Sequence, residues 1–158
     1  AYPSDLTLNG LSFQTLAEKL QAQLAAAGIT VDLAPAPVAT ELENYRNGKE
    51  QMGLWYWGPD FPDPSNYLAF APGGLIGNRA NWPAAAAPDI DSAATSAGAA
   101  GDTPERDALY QEFQRSLNAS GPFIPLVQPP SNIVTANTVT GVVYNPVWIV
   151  DVGAITPR

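Results

Sequence analysis

The residues best suited to chemistry lie together in Trp55-Tyr56-Trp57-Gly58-Pro59-Asp60-Phe61-Pro62-Asp63-Pro64. Rings and carboxylates share a stretch whose prolines forbid a continuing helix or a central strand. Met52-Gly53-Leu54 precedes it, so an apolar run feeds directly into an acidic turn. Such a place offers a ligand a flat apolar wall and a negative charge together. The two carboxylates could also serve as acid and nucleophile in a hydrolase. Three residues apart on a Pro-rich turn, however, is a poor way to flank a scissile bond. The plain alternative is a buried strand that ends in a turn.

Composition removes most other chemistry. The 158 residues contain no cysteine and no histidine. Disulfides, thiolate metal sites, Ser-His nucleophile pairs and the commonest zinc ligand are therefore absent. No cofactor or metal is expected. A formal charge of −8, with only seven Lys and Arg scattered along the chain, argues against a phosphate-backbone partner, so no nucleic acid is expected. No stretch is long and apolar enough to span a bilayer. Ala1-Tyr2-Pro3-Ser4 does not read as a natural beginning, and a fragment or processed chain is expected.

The elements that must position the acidic turn follow from periodicity. Phe13, Leu16, Leu20 and Leu24 recur at helical spacing, which predicts a helix over 12–27 with Ser12 as N-cap and Gly28 just past its end. Ile29 to Leu33 alternates as a strand, with Pro35 and Pro37 expected to stop it. A short helix is predicted over 40–47, burying Leu42 and Tyr45 and closed by Gly48, and the next strand over 51–57. This β-α-β-α-β order implies an α/β sheet with right-handed crossovers, its first strand lying before Leu8. Tyr56 and Trp55 then point to opposite faces of the strand, so at most one of them shares a face with Trp57. Asp63-Pro64 should cap a short helix over 65–69. Residues 70–82 read as irregular, and the alanine-rich 84–100 as either a helix begun by Pro88 or a linker. Thr103-Pro104-Glu105-Arg106 announces a helix to about Ala119, burying Leu109, Phe113 and Leu117. Residues 123–127 read as extended, and 133–136 and 142–144 as short strands. Val147 to Val150 is apolar enough to need a covering partner.

The ordered motifs resemble one family. The helix followed by Gly28-Ile29-Thr30-Val31-Asp32-Leu33 comes first, then Trp57-Gly58-Pro59-Asp60-Phe61-Pro62-Asp63-Pro64-Ser65-Asn66-Tyr67-Leu68. Asn81-Trp82, Pro88-Asp89-Ile90-Asp91, Asp102-Thr103-Pro104-Glu105-Arg106 and Pro122-Phe123-Ile124-Pro125-Leu126 follow in the same order, and Thr138 to Val142 closes the series. The set is similar to the bacterial extracellular solute-binding proteins of family 5, the dipeptide- and oligopeptide-binding components of ABC importers. The resemblance implies one lobe of a type II periplasmic-binding-protein fold, a mixed sheet flanked by helices. The whole of 1–158 would form this single lobe, from the C-terminal half. Its last fifteen or so residues would return toward a missing N-terminal lobe of the same polypeptide.

Further implications concern function. A non-enzymatic protein is implied, which closes its interlobe cleft on a small, peptide-like solute and delivers it to a membrane permease. It would work in the periplasm or outside the cell, with a signal peptide that in many members is a lipoprotein one. Carried over residue by residue, the position of Trp57 packs against ligand and that of Asp60 accepts a peptide α-ammonium. Tyr56 is a further candidate. Where some peptide binders place an arginine three residues before the tryptophan, this chain has Leu54, and Arg79 is the nearest replacement for meeting a ligand carboxylate. The Trp-x-x-Asp pattern also occurs in relatives that take sugars, opines or other solutes. Three readings stand at this point: solute capture, a carboxylate-based secreted hydrolase, and a structural domain without a ligand.

Overall fold

A computed structural model describes residues 1–128, 130, 132–145 and 149–158. The N-terminal part is built on a short parallel pairing of β1 (Tyr2–Pro3) with β4 (Pro35–Ala36). Between them run the small hairpin of β2 (Thr7–Leu8) and β3 (Leu11–Ser12), then α1 (Phe13–Ala26). Ser12 caps α1 by accepting from the Thr15 amide at 3.4 Å. Gly28 follows its end at a φ of +82°, which only glycine adopts at no steric cost. Phe13 and Ala17 turn inward onto Tyr2, with Leu6, Leu8, Leu33 and Leu54 around them.

The expected strand over 29–33 pairs later than its alternation suggested. Tyr2 and Ser4 donate to Ala34 and Ala36, so the ladder includes Pro35 instead of stopping before it. Successive strand residues turn their polar groups to opposite sides. With Ala34 and Ala36 facing β1, the donor-less nitrogens of Pro35 and Pro37 face outward, and an edge strand tolerates them.

The same logic explains why residues 51–57 form no regular strand. Ala1 donates to Met52 at 2.6 Å and accepts from Leu54 at 3.0 Å. The next donor on that side would be the amide of Pro3, which does not exist. Pairing therefore ends at Leu54, and the chain runs on unpaired toward Trp57.

Helix α2 (Val38–Arg46) begins two residues earlier than expected, because Asp5 reaches across from β1's exit to accept the Val38 amide at 2.7 Å. Gly48 closes it at a φ of +62°. Glu41 is the buried residue of this helix, while Leu42 and Tyr45 are only half-buried.

The second half is helical. A 3₁₀ helix (Pro64–Phe70), α3 (Leu75–Arg79), α4 (Pro88–Ala99) and α5 (Arg106–Ser120) enclose a core of Ala71, Ile90, Ala94 and Phe113. The alanine-rich tract is helix, not linker. Alanine has the highest helix propensity, Pro88 opens the first turn, and Asp89 and Asp91 complement its dipole. Ala94 and Ala97 are buried on α4, and their small side chains allow it to lie close against α5. Residues 75–79 likewise turn into helix within the segment expected to be irregular. Helix α5 starts at Arg106, with Glu105 at its cap position and Thr103 in the turn before.

Beyond α5 the described residues form two small antiparallel pairs. These are β5 (Val139–Thr140) with β8 (Thr156–Pro157), and β6 (Tyr144–Asn145) with β7 (Ile149–Val150). The strand expected over 133–136 makes no ladder, and of 142–144 only Tyr144 does. Val147 and Trp148, part of the apolar stretch picked out above, lie outside the described residues.

Candidate functional site

Trp57 sits at the head of a row of rings. Its indole meets the edges of Tyr67 and Phe70, each with centroids 5.0 Å away. Phe70 in turn meets Phe123 at 5.1 Å, and Phe123 meets Trp82 at 6.1 Å. These edge-to-face geometries are the favoured ones for aromatic pairs. The 3₁₀ helix makes the row possible, since three residues per turn place Tyr67 and Phe70 one above the other. Trp57 is half-buried and Tyr67 exposed, so one end of the row faces solvent as an apolar wall.

The two carboxylates of the turn have different tasks. Asp63 is committed to structure. It caps the 3₁₀ helix, accepting from the Ser65 amide at 2.8 Å, and it pairs with the Arg106 guanidinium at 2.7 Å. The hydrogen bonds from Ser65, joined by Arg106, hold its carboxyl down to about 2. Arg106 also lies over the Tyr110 ring, 4.8 Å from its centroid.

Asp60 is exposed, and among the described residues its carboxylate has no ion pair or hydrogen bond. Its backbone is fixed instead. The Asp60 amide donates to Oδ1 of buried Asn66 at 3.1 Å, which ties this residue to the helix that carries Tyr67. The backbone of Asp60 is thus positioned while its carboxylate is exposed and uncommitted.

The other two expected residues point elsewhere. Tyr56 is 53% exposed and touches Phe13 at 6.3 Å, on the side of α1 and not among the rings around Trp57. Arg79 lies over the Tyr45 ring at 5.3 Å, and Tyr45 stacks on Trp55 at 5.0 Å. Trp57 and Asp60 are each tied to the 3₁₀ helix, Trp57 through Tyr67 and Phe70 and Asp60 through Asn66; Arg79 and Tyr56 join other groups. A shallow groove of about 370 Å³, lined by Leu68, Ala71, Gly73, Ala94 and Thr95, contains none of the four.

Residues 6–75 match the profile of the bacterial extracellular solute-binding proteins, family 5 Middle. That stretch contains the whole Trp57–Asp63 turn, its 3₁₀ helix and β4, but not β1. This segment belongs to family 5.

A Di/tripeptide-binding protein 4 of Pseudomonas aeruginosa is 33% identical over 136 residues, covering 82% of this chain and 25% of its own. A Probable D,D-dipeptide-binding periplasmic protein DdpA of Escherichia coli is 26% identical over 152 residues, covering 91% and 29%. The chain therefore spans about a quarter of the length of the curated relatives it matches. The structure of HbpA2 from Haemophilus parasuis superposes with a TM-score of 0.73 at 21% identity, over 99% of this chain and 31% of that one. A peptide-binding protein of a peptide ABC transporter gives 0.58 at 23% identity, over 76% and 52%. The two structural likenesses establish the fold as that of part of these larger structures, an α/β architecture.

Several features around the candidate site escaped sequence reading. Tyr67, Phe70, Trp82 and Phe123 line up with Trp57 only through tertiary contacts. The spacing of Tyr67 and Phe70 was a usable signal, given a 3₁₀ helix; nothing local pointed to Phe123. Asn66 was legible as part of the family motif but not as the anchor of Asp60. Arg106 was read as part of a helix start, and its contact with Asp63, 43 residues away, has no sequence signature.

Proposed function

We propose that this chain is one lobe of a two-lobed solute-binding protein that captures short peptides in its cleft for an ABC importer. Asp60 receives the peptide α-ammonium, and Trp57 with Tyr67 covers the adjacent backbone and side chain. The observation that carries the reading is the contrast between the carboxylates. Asp63 is consumed by capping and by Arg106, whereas Asp60 is held by its backbone and its exposed carboxylate has no partner among the described residues. A carboxylate so placed favours a cationic partner, most strongly when closure excludes water. The names of the di- and tripeptide-binding relatives support the same solute class. Asp63 is already occupied by the Ser65 amide and the Arg106 guanidinium, so it is not open to a substrate as acid or nucleophile, which argues against the hydrolase.

The single-lobe reading is supported by surface. The chain exposes 10494 Å², against roughly 7,600 Å² for a compact monomer of its mass. Ile124, Val127, Val134 and Val152 are among the exposed apolar residues. A second lobe of the same polypeptide would cover part of this surface and supply the other wall of the cleft. The permease partner and a periplasmic or extracellular location, with a lipid anchor in the intact protein, belong to the same proposal.

The test is calorimetry on the intact protein with di- and tripeptides and their N-acetylated forms. Asp60→Asn keeps the shape and removes the charge, so binding should weaken by about ten- to a hundred-fold, the equivalent of a charge-assisted hydrogen bond of roughly 1.5–3 kcal/mol. Acetylation should weaken binding by a similar factor, and the two effects should overlap in a double cycle. If Asp60→Asn left affinity unchanged while Trp57→Ala abolished it, the amine reading would be wrong, and a neutral solute such as a sugar would replace it.

A further inference from the structure

Asp60 lies in a turn whose backbone is otherwise loosely held. Among the described residues, pairing with Ala1 ends at Leu54, and no backbone–backbone hydrogen bond engages residues 55–60. A Cβ built on Gly58, inside that stretch, would meet nothing within 4 Å, so packing does not clamp the turn there. The hydrogen bond that does hold it runs from the Asp60 amide to Oδ1 of Asn66, at 3.1 Å.

Asn66 itself is firmly placed. It is only 8% exposed, and its own amide donates to the Asp63 carbonyl at 3.1 Å. Asp63 is fixed in turn by the Ser65 amide and by Arg106. Burying a side-chain amide costs free energy unless it is hydrogen-bonded. An apolar residue of the same bulk would fill such a position at little or no cost to the fold. A polar residue here therefore points to a task beyond filling space, and its side-chain oxygen is spent on Asp60.

We propose that Asn66 is a positioning residue for solute recognition: by holding the Asp60 backbone it fixes where the Asp60 carboxylate stands, and so sets how strongly the site prefers a free α-ammonium to a blocked one. The inference rests on the solute reading above and adds to it the residue on which selectivity depends. An aspartate carboxylate is a short group, placed no better than the backbone that carries it. A charge-assisted contact keeps its strength only when its geometry is held within about 0.5 Å by supporting residues. Asn66 meets no solute in this scheme and acts through Asp60. Its partner is an N–H, so the group at this position must offer an oxygen; asparagine and aspartate do, and leucine does not.

The test is calorimetry on the intact protein with alanyl-alanine and its N-acetylated form, for the parent, Asn66→Leu, Asn66→Asp and Asp60→Asn. Asn66→Leu keeps the bulk and removes the acceptor. It should weaken binding of the free dipeptide by about three- to tenfold, the worth of one hydrogen bond, and change the acetylated form by less than about twofold. Asn66→Asp returns an oxygen to the same place and should restore the preference for the free amine. A merely structural role would weaken both ligands alike and would not be rescued in this way. Amide hydrogen exchange gives a reading without any solute: the Asp60 N–H should lose protection in Asn66→Leu and keep it in Asn66→Asp. If Asp60→Asn reduces the preference and Asn66→Leu does not, this proposal falls while the solute reading stands. If Asp60→Asn has no effect, both fall. Should Asn66→Leu fail to fold, Asn66→Asp decides, since loss of the preference or of the Asp60 protection in that variant overturns the proposal.

Discussion

Phe70→Leu is the sharpest probe of the row of rings, because Phe70 is its hub. The substitution keeps an apolar side chain of similar bulk and removes only the aromatic geometry. Phe70 meets Trp57 at 5.0 Å and Phe123 at 5.1 Å, both edge-to-face, and Tyr67 at 6.5 Å, near the outer limit of such contacts. Counting the two close pairs at about 0.5–1.5 kcal/mol each gives a loss of about 1–3 kcal/mol. With a urea m-value of about 2 kcal/mol per molar, the midpoint should fall by roughly 0.5–1.5 M. Urea unfolding of the parent, Phe70→Leu, Trp57→Leu and the double variant would isolate the pair. The expected coupling is about 0.5–1.5 kcal/mol. Additive effects within about 0.3 kcal/mol would show that the rings are merely neighbours. The claim that Phe70 holds Trp57 in place for a solute would then fail, even if Trp57 itself mattered for binding.

Two other outcomes follow from the geometry. Asp63 has a carboxyl lowered by folding, so its stabilisation is present above the ordinary aspartate range and is lost as pH falls through about 2; acid unfolding followed by circular dichroism should therefore show a shallower acid limb in Asp63→Asn than in the parent. Gly77 is buried in α3 with the Ala71 carbonyl where a Cβ would stand, so Gly77→Ala must push α3 away from the 3₁₀ helix. Overpacking of this kind costs about 1–3 kcal/mol, and an unchanged melting temperature would show that the approach is not close.

The local elements were legible where one signal dominated. Ser12, the leucine spacing and Gly28 bounded α1 nearly to the residue, since capping and periodicity agreed. Asp63-Pro64 announced its cap for the same reason. Strands were legible only as approximate positions. Whether Ile29 to Leu33 or Pro35-Ala36 pairs with Tyr2 depends on register, and register depends on which amides face the neighbour. The alternation of side chains carries no information about that choice.

The sequence by itself determined the class of chemistry and the place for it. Without His or Cys, and with Trp57 and Asp60 on a Pro-rich turn, charge and apolar surface were the means of recognition left. The helices that flank the turn also followed from the chain, because caps, periodicity and alanine content act over a few residues. Only the tertiary structure decided which carboxylate is free. Asp60 and Asp63 are equivalent as letters, and Arg106, reaching from a distant helix, separates them. It likewise turned Arg79 toward Tyr45, gathered Phe123 and Trp82 into the row of rings, and buried Glu41 on α2. The physical reason is common to all of these. Contacts between side chains far apart in the chain depend on how elements pack, and packing is a property of the whole fold that no local pattern encodes.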